Sequence, residues 1–132
     1  MLVRNRMTKN PVTIAPHEML ATAREKMTTG RFRRLPVVEN DALIGILTDR
    51  DINRYVGVEE RTKVRATMTE TPLTISPDMS IEEATQLLLK HQISGLPVVD
   101  DGKLVGILTT SDILLAFLDI VGGGDGSHRI AS

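Results

Sequence analysis

The chain has no cysteine and no tryptophan among its 132 residues, and Phe32, Tyr55 and Phe117 are its only aromatics. Without thiols there are no disulfides, no thiolate nucleophile and no cysteine-based zinc site. With so few rings there is no set of platforms on which nucleic-acid bases stack. Sixteen Lys and Arg against seventeen Asp and Glu leave a formal net charge of −1. That balance gives no general pull toward nucleic acid or an anionic membrane. No apolar run approaches membrane-spanning length, and the N-terminus lacks the basic-then-apolar pattern of a secretory signal. The absences together point to a soluble, cytoplasmic protein. Hydrophobic residues at 41% and charged residues at 25% are ordinary for a globular chain, and the length suits one compact core.

What the sequence does have is a repeat. Val3-Arg4-x-x-Met7-Thr8-x-x-Pro11-x-Thr13-Ile14-x-Pro16 returns 61 residues later as Val64-Arg65-x-x-Met68-Thr69-x-x-Pro72-x-Thr74-Ile75-x-Pro77. Leu35-Pro36-Val37-Val38 returns as Leu96-Pro97-Val98-Val99. Leu43-x-Gly45-Ile46-Leu47-Thr48-x-x-Asp51-Ile52 returns as Leu104-x-Gly106-Ile107-Leu108-Thr109-x-x-Asp112-Ile113. Setting 3–52 against 64–113 without a gap gives identity at 20 of 50 positions. Two copies of one supersecondary unit are expected to share a core about a pseudo-two-fold axis and to form two related clefts at their junction.

Each copy is punctuated alike. Val12-Thr13-Ile14 and Leu73-Thr74-Ile75 lie between prolines and read as extended. A helix follows, opened in the second copy by the capping-box pattern Ser80-Ile81-Glu82-Glu83 and closed in the first near Gly30. Two short β-rich runs come next, 35–38 with 43–48 and 96–99 with 104–109. Asp101-Gly102 makes the second hairpin turn the better formed. A last helix begins near Asp49 and near Thr110. The unit is β-α-β-β-α, twice, an α/β chain of α+β sandwich-like character. Residues 2–55 form the first motif, 56–63 a polar connector, 64–118 the second motif and 119–132 a glycine-rich tail.

These motifs, in this order and at one spacing, resemble the CBS domain, and the tandem resembles a CBS pair (a Bateman module). Small bacterial two-CBS proteins of the acetoin-utilisation type are similar in style. The resemblance covers about residues 2–118. It implies a regulatory module whose ligand is an adenosine-type nucleotide, AMP, ADP, ATP or S-adenosylmethionine, and modules that pack as homodimers.

The residues allow that chemistry beside plainer roles. Thr48-x-x-Asp51 and Thr109-x-x-Asp112 sit where a strand ends and a helix begins, so each is a capping box that needs no ligand. The resemblance implies instead that the Asp takes ribose hydroxyls while the Thr or nearby backbone meets phosphate, which a carboxylate and free helix N–H groups are able to do. Arg33 and Arg34 precede a strand that must be buried and offer the fork geometry that matches phosphate; the plain reading is a solvated basic edge with Arg31. Arg50 opposes the helix dipole unless Asp49 and Asp51, or a bound anion, offset it.

At the matching positions the second copy has Ser94, Gly95 and Ser111, all neutral. The family pattern implies one cleft with Arg33, Arg34, Thr109, Ser111 and Asp112. The other would hold Ala66, Thr67, Ser94, Gly95, Thr48, Arg50 and Asp51. Multiply charged phosphate is expected to favour the first. The adenine is placed by resemblance against the backbone near Asn5-Arg6 and Ala66-Thr67.

His17, His91 and His128 share no ligand spacing, so no metal is expected, and no nucleophile has an activating motif around it. The reading is a non-catalytic nucleotide sensor that signals to an effector protein. The alternative is the same fold with empty clefts, acting as a dimerisation platform. A nucleic-acid binder built on Arg31, Arg33, Arg34 and Arg50 is disfavoured by charge and by the scarcity of rings. Ile113, Leu114, Leu115, Phe117, Leu118, Ile120 and Val121 are too many apolar residues for one buried helix face; the plain reading is a helix buried in the fold, and the excess points to self-association.

Overall fold

The computed structural model describes residues 1–122. The glycine-rich stretch from Gly123 on and His128 lie outside the described residues. In the first copy the elements are β1 (Thr8–Lys9), α1 (Leu20–Gly30), β2 (Arg34–Glu39), β3 (Ala42–Thr48) and α2 (Asp49–Asn53). In the second they are β4 (Thr69–Glu70), α3 (Ile81–His91), β5 (Gly95–Asp100), β6 (Lys103–Thr109) and α4 (Thr110–Val121). Helices with antiparallel strands make this an α+β fold.

Helix starts follow local chemistry. Ser80 Oγ accepts from the Glu83 N–H at 3.0 Å, satisfying one orphan donor of α3. The α1 start lacks such a cap, since Met19 holds the same place. Its face Leu20, Ala23, Met27 is nevertheless buried, so packing holds α1 where α3 also has capping. The hairpin turns differ in the expected direction. Asn40 and Asp41 both take left-handed φ values of 52° and 65°, where the second hairpin places Asp101 at 52° and Gly102 at 80°. Both are the two-residue turn whose twist suits a hairpin, and only the second has glycine where it relieves strain.

The opening strand of each copy is shorter than the sequence suggests. Ile14 makes a single parallel bridge to Val37, and Ile75 one to Val98. Pro11 and Pro16, and likewise Pro72 and Pro77, remove donors on either side, so no longer ladder forms. Helix α4 runs through Val121, three residues into the segment read as tail, and Gly122 N–H closes it on the Leu118 carbonyl at 2.8 Å. The polar connector contains one short 3-10 turn, Glu59–Arg61.

The described residues form two compact units whose membership cuts across the repeat. The C-terminal unit contains Met1–Asn10, Thr74–Asp100 and, among the described residues, 105–122. The N-terminal unit contains Pro11–Leu73 and Asp101–Leu104. The opening segment of each copy is thus built into the unit that carries the other copy's helices. In the C-terminal unit Val3 N–H donates to the Met79 carbonyl at 2.8 Å and Arg4 N–H to that of Pro77 at 3.0 Å. In the N-terminal unit Val64 N–H donates to Glu18 at 2.8 Å and Arg65 N–H to Pro16 at 3.0 Å, the same bonds 61 positions away.

Each unit has its own core, and the two match. Ile14, Ala23, Met27, Leu35, Val37, Leu47 and Val64 fill one. Ile75, Ala84, Leu88, Leu96, Val98, Leu108 and Val3 fill the other.

The glycine kept in both copies has a steric cause. Strand β1 pairs with β6, Lys9 opposite Gly106, and β4 pairs with β3, Glu70 opposite Gly45. A Cβ on Gly106 would lie 2.7 Å from Met7 Sδ and 2.8 Å from the Thr8 carbonyl oxygen. On Gly45 it would lie 2.9 Å from both Met68 Sδ and the Thr69 oxygen. Each Met-Thr pair therefore lies directly on a glycine of the strand it joins.

Candidate functional site

Two strand-to-helix corners carry the polar residues of interest, one in each unit. At the β3–α2 corner of the N-terminal unit, Thr48 N–H donates to Asp51 Oδ2 at 2.9 Å and Asp51 N–H donates to Thr48 Oγ1 at 3.2 Å. That is a complete capping box, and it leaves Asp51 buried at 7% exposure. The other oxygen, Oδ1, stands 3.7 Å from Arg54 Nη1. Thr67, delivered by the chain just before β4, sets its hydroxyl 3.5 Å from the Asp51 carbonyl. Ala66, itself exposed, lies beside it at the end of a 3-10 turn.

The arginines of the same copy join this corner through the backbone. Arg34 is the ladder partner of Thr48, and Asp49 N–H donates to the Arg33 carbonyl at 2.9 Å. Arg33 and Arg50 are exposed and Arg34 is half-buried. Burial pushes the Arg34 guanidinium below its ordinary value, and the negative charge of Asp49 works against that shift. A cation that has lost part of its hydration gains more from an anion than an exposed one does.

The β6–α4 corner of the C-terminal unit repeats the geometry with neutral neighbours. Thr109 N–H donates to Asp112 Oδ2 at 2.9 Å, and Asp112 N–H to Thr109 Oγ1 at 3.3 Å. Thr8, arriving on β1, donates its hydroxyl to Asp112 Oδ1 at 3.3 Å. Ser94 lends its carbonyl to the Thr110 N–H at 2.9 Å, Gly95 is buried in β5, and Ser111 is exposed. Arg33, Arg34, Thr48, Arg50, Asp51, Ala66 and Thr67 thus belong to the N-terminal unit, and Ser94, Gly95, Thr109, Ser111 and Asp112 to the C-terminal one.

The family model for the CBS domain matches the chain twice, over residues 3–58 and 64–119. The chain belongs to the CBS domain family. This CBS pair is 37% identical over 114 residues to the CBS domain-containing protein YhcV of Bacillus subtilis, covering 84% of this chain and 81% of that one. It is 38% identical over 109 residues to the inosine-5'-monophosphate dehydrogenase of Methanocaldococcus jannaschii, matching 80% of this chain but only 21% of the enzyme.

Among solved structures the CBS pair is similar to the acetoin utilization protein AcuB of Vibrio cholerae, with a TM-score of 0.86, 27% identity and 98% of each chain covered. It is similar to CBSX2 in complex with AMP, with a TM-score of 0.82, 31% identity, and 91% and 98% covered. It is also similar to the CBS domain pair of protein MJ0100 in complex with 5'-methylthioadenosine and S-adenosyl-L-methionine (TM-score 0.78, 29% identity, 93% and 97% covered).

Two features escaped the sequence reading. The Arg6 guanidinium is committed within the C-terminal unit to Asp119, which is buried at 6% exposure. The signal was an aspartate inside the apolar run Leu118-Asp119-Ile120, where a carboxylate needs a partner. Met7 and Met68 cover Gly106 and Gly45, which explains their place in the repeated motif. Among the described residues no group of three or more His, Asp or Glu is placed to hold a metal ion. None of the described helices is long and apolar enough to cross a membrane.

Proposed function

We propose that this CBS pair is a non-catalytic regulatory module that binds an adenosine-type nucleotide, AMP, ADP, ATP or S-adenosylmethionine, at its Thr-x-x-Asp corners. The observation that carries the reading is the duplicated corner itself, each with a carboxylate fixed by its own helix cap. In both, Oδ2 serves the cap, while among the described residues Oδ1 has a longer contact, 3.7 Å to Arg54 or 3.3 Å to Thr8. A carboxylate so placed accepts ribose hydroxyls without unmaking the cap. The solved relatives with AMP and with S-adenosyl-L-methionine support the choice of ligand class. The two corners are unequal, because positions 33, 34 and 50 are arginine and their counterparts 94, 95 and 111 are Ser, Gly and Ser. Multiply charged phosphate therefore favours the arginine-bearing unit. Ligand shifts the population of conformations or of dimers, and an effector protein in the cytoplasm reads the change.

The test is a thermal-shift and calorimetric titration of the full chain with each nucleotide, repeated on Asp51→Asn, Asp112→Asn, Arg33→Ala and Arg34→Ala. Ligand bound to the native state raises its Tm by mass action. The reading expects a shift that one Asp variant abolishes, and ATP affinity lowered about tenfold or more by loss of Arg34, as for a charge-assisted contact. No shift with any nucleotide replaces the sensor by a dimerisation platform whose Thr-x-x-Asp groups only cap helices.

A further inference from the structure

The carboxylates at the two corners differ in how much of each is still available. An ionised carboxylate offers about four lone-pair sites, two on each oxygen. Among the described residues Asp112 has three of them engaged. Thr109 N–H donates to Oδ2 at 2.9 Å, Thr109 Oγ1 donates to Oδ2 at 3.0 Å, and Thr8 Oγ1 donates to Oδ1 at 3.3 Å. Asp51, among the same residues, has one engaged, by the Thr48 N–H at 2.9 Å. Arg54 Nη1 lies 3.7 Å from Asp51 Oδ1, beyond hydrogen-bond reach. Thr8 is also held where it is. It pairs with Ile107 on β6, and two residues before it the Arg6 guanidinium is tied to the buried Asp119. Asp119 lies about two turns along α4 from Asp112, so the opening segment is fastened to that helix at two places. Thr67 and Val58 stand where Arg6 and Asp119 would stand in the N-terminal unit, so that ion pair has no counterpart there.

We infer that Thr8 is a specificity-determining residue of the C-terminal unit: by occupying Asp112 Oδ1 it leaves that corner able to read one ribose hydroxyl, where the Asp51 corner reads both. The inference rests on the nucleotide reading above and deepens it. Each of the two vicinal hydroxyls of a ribose donates one hydrogen bond, so taking both needs two open acceptor sites on the carboxylate. Asp51 has them. Asp112 has one, unless the Thr8 hydroxyl turns away. A β-branched side chain on a paired strand has few χ1 choices, and the tie from Arg6 to Asp119 keeps its backbone from backing off. The N-terminal unit therefore selects a full ribonucleotide. The C-terminal unit also accepts an adenosine-type ligand that lacks one ribose hydroxyl.

Calorimetric titration of the full chain with AMP, 2'-deoxy-AMP and 3'-deoxy-AMP tests it. Asp112→Asn isolates the Asp51 corner, and Asp51→Asn isolates the Asp112 corner. At the Asp51 corner each deoxy form is expected to bind about tenfold or more weaker than AMP, the worth of a hydrogen bond to a charged acceptor. At the Asp112 corner at least one deoxy form is expected to bind within about threefold of AMP. Thr8→Val, added to Asp51→Asn, keeps the β-branch, frees Oδ1 and is expected to raise that ratio to about tenfold. Thr8→Ser keeps the hydroxyl and is expected to leave the ratio low. Thr8 is exposed, and melting curves check that each variant folds. Equal discrimination against both deoxy forms at the two corners overturns the role of Thr8 and leaves the sensor standing. So does a ratio that Thr8→Val leaves unchanged, or a C-terminal corner that takes no AMP even with valine at position 8. A chain that binds no AMP, or whose binding neither aspartate variant alters, overturns the corner reading itself and this inference with it.

Discussion

Replacing Gly106 by alanine puts one methyl group where β1 crosses β6. The new Cβ would stand 2.8 Å from the Thr8 carbonyl oxygen and 2.7 Å from Met7 Sδ. A carbon and a backbone oxygen settle no closer than about 3.3 Å, so the overlap is about half an ångström. The thioether of Met7 is the flexible end of a long side chain and swings aside. The Thr8 oxygen belongs to a strand pinned by the pairs Thr8 with Ile107 and Lys9 with Gly106, so it moves only if the pairing loosens. Overpacking of this kind costs about 1–3 kcal/mol, and a backbone obstacle argues for about 2. For a chain of this length that is a Tm lower by about 6–10 °C. Urea unfolding of Gly106→Ala, Met7→Ala and the double variant measures the cost and its source. The double variant is expected to recover about 0.5–1 kcal/mol of the summed single losses, the part due to sulfur, and no more. A Gly106→Ala loss below about 0.5 kcal/mol, the size of an ordinary surface change, refutes the close-approach argument. Gly45→Ala, facing Met68 and Thr69, is expected to behave alike.

Three further outcomes follow from particular contacts. Asp119→Ala strands the partly buried Arg6 guanidinium and is expected to cost about 2–3 kcal/mol in urea unfolding, with Arg6→Met/Asp119→Leu recovering most of it because an apolar pair needs no counter-charge. Thr109→Ala removes the acceptor for the Asp112 N–H and is expected to lower stability by about 1 kcal/mol, measured the same way. Asp41→Gly relieves a left-handed residue at φ 65°, and is expected to gain about 0.5 kcal/mol after the greater chain entropy of glycine is subtracted, read as a higher midpoint.

What the sequence determined by itself lies within a few residues of each position. The repeat, the cap at Ser80, the capping boxes at Thr48 and Thr109 and the turn at Asp101-Gly102 depend on bonds spanning at most four residues, so spacing reveals them. The buried faces were equally legible, since Ala23 and Met27 return as Ala84 and Leu88 in matching cores.

Tertiary structure alone decided which copy receives which opening segment. Val3 and Val64 make identical bonds in their respective units, so nothing local distinguishes pairing with the same copy from pairing with the other. It also decided that Arg6 answers Asp119 across 113 residues, and that Met7 and Met68 rest on glycines of β6 and β3. These choices belong to non-local packing, where a charge or a bulky side chain finds its partner through the fold and periodicity carries no record of it.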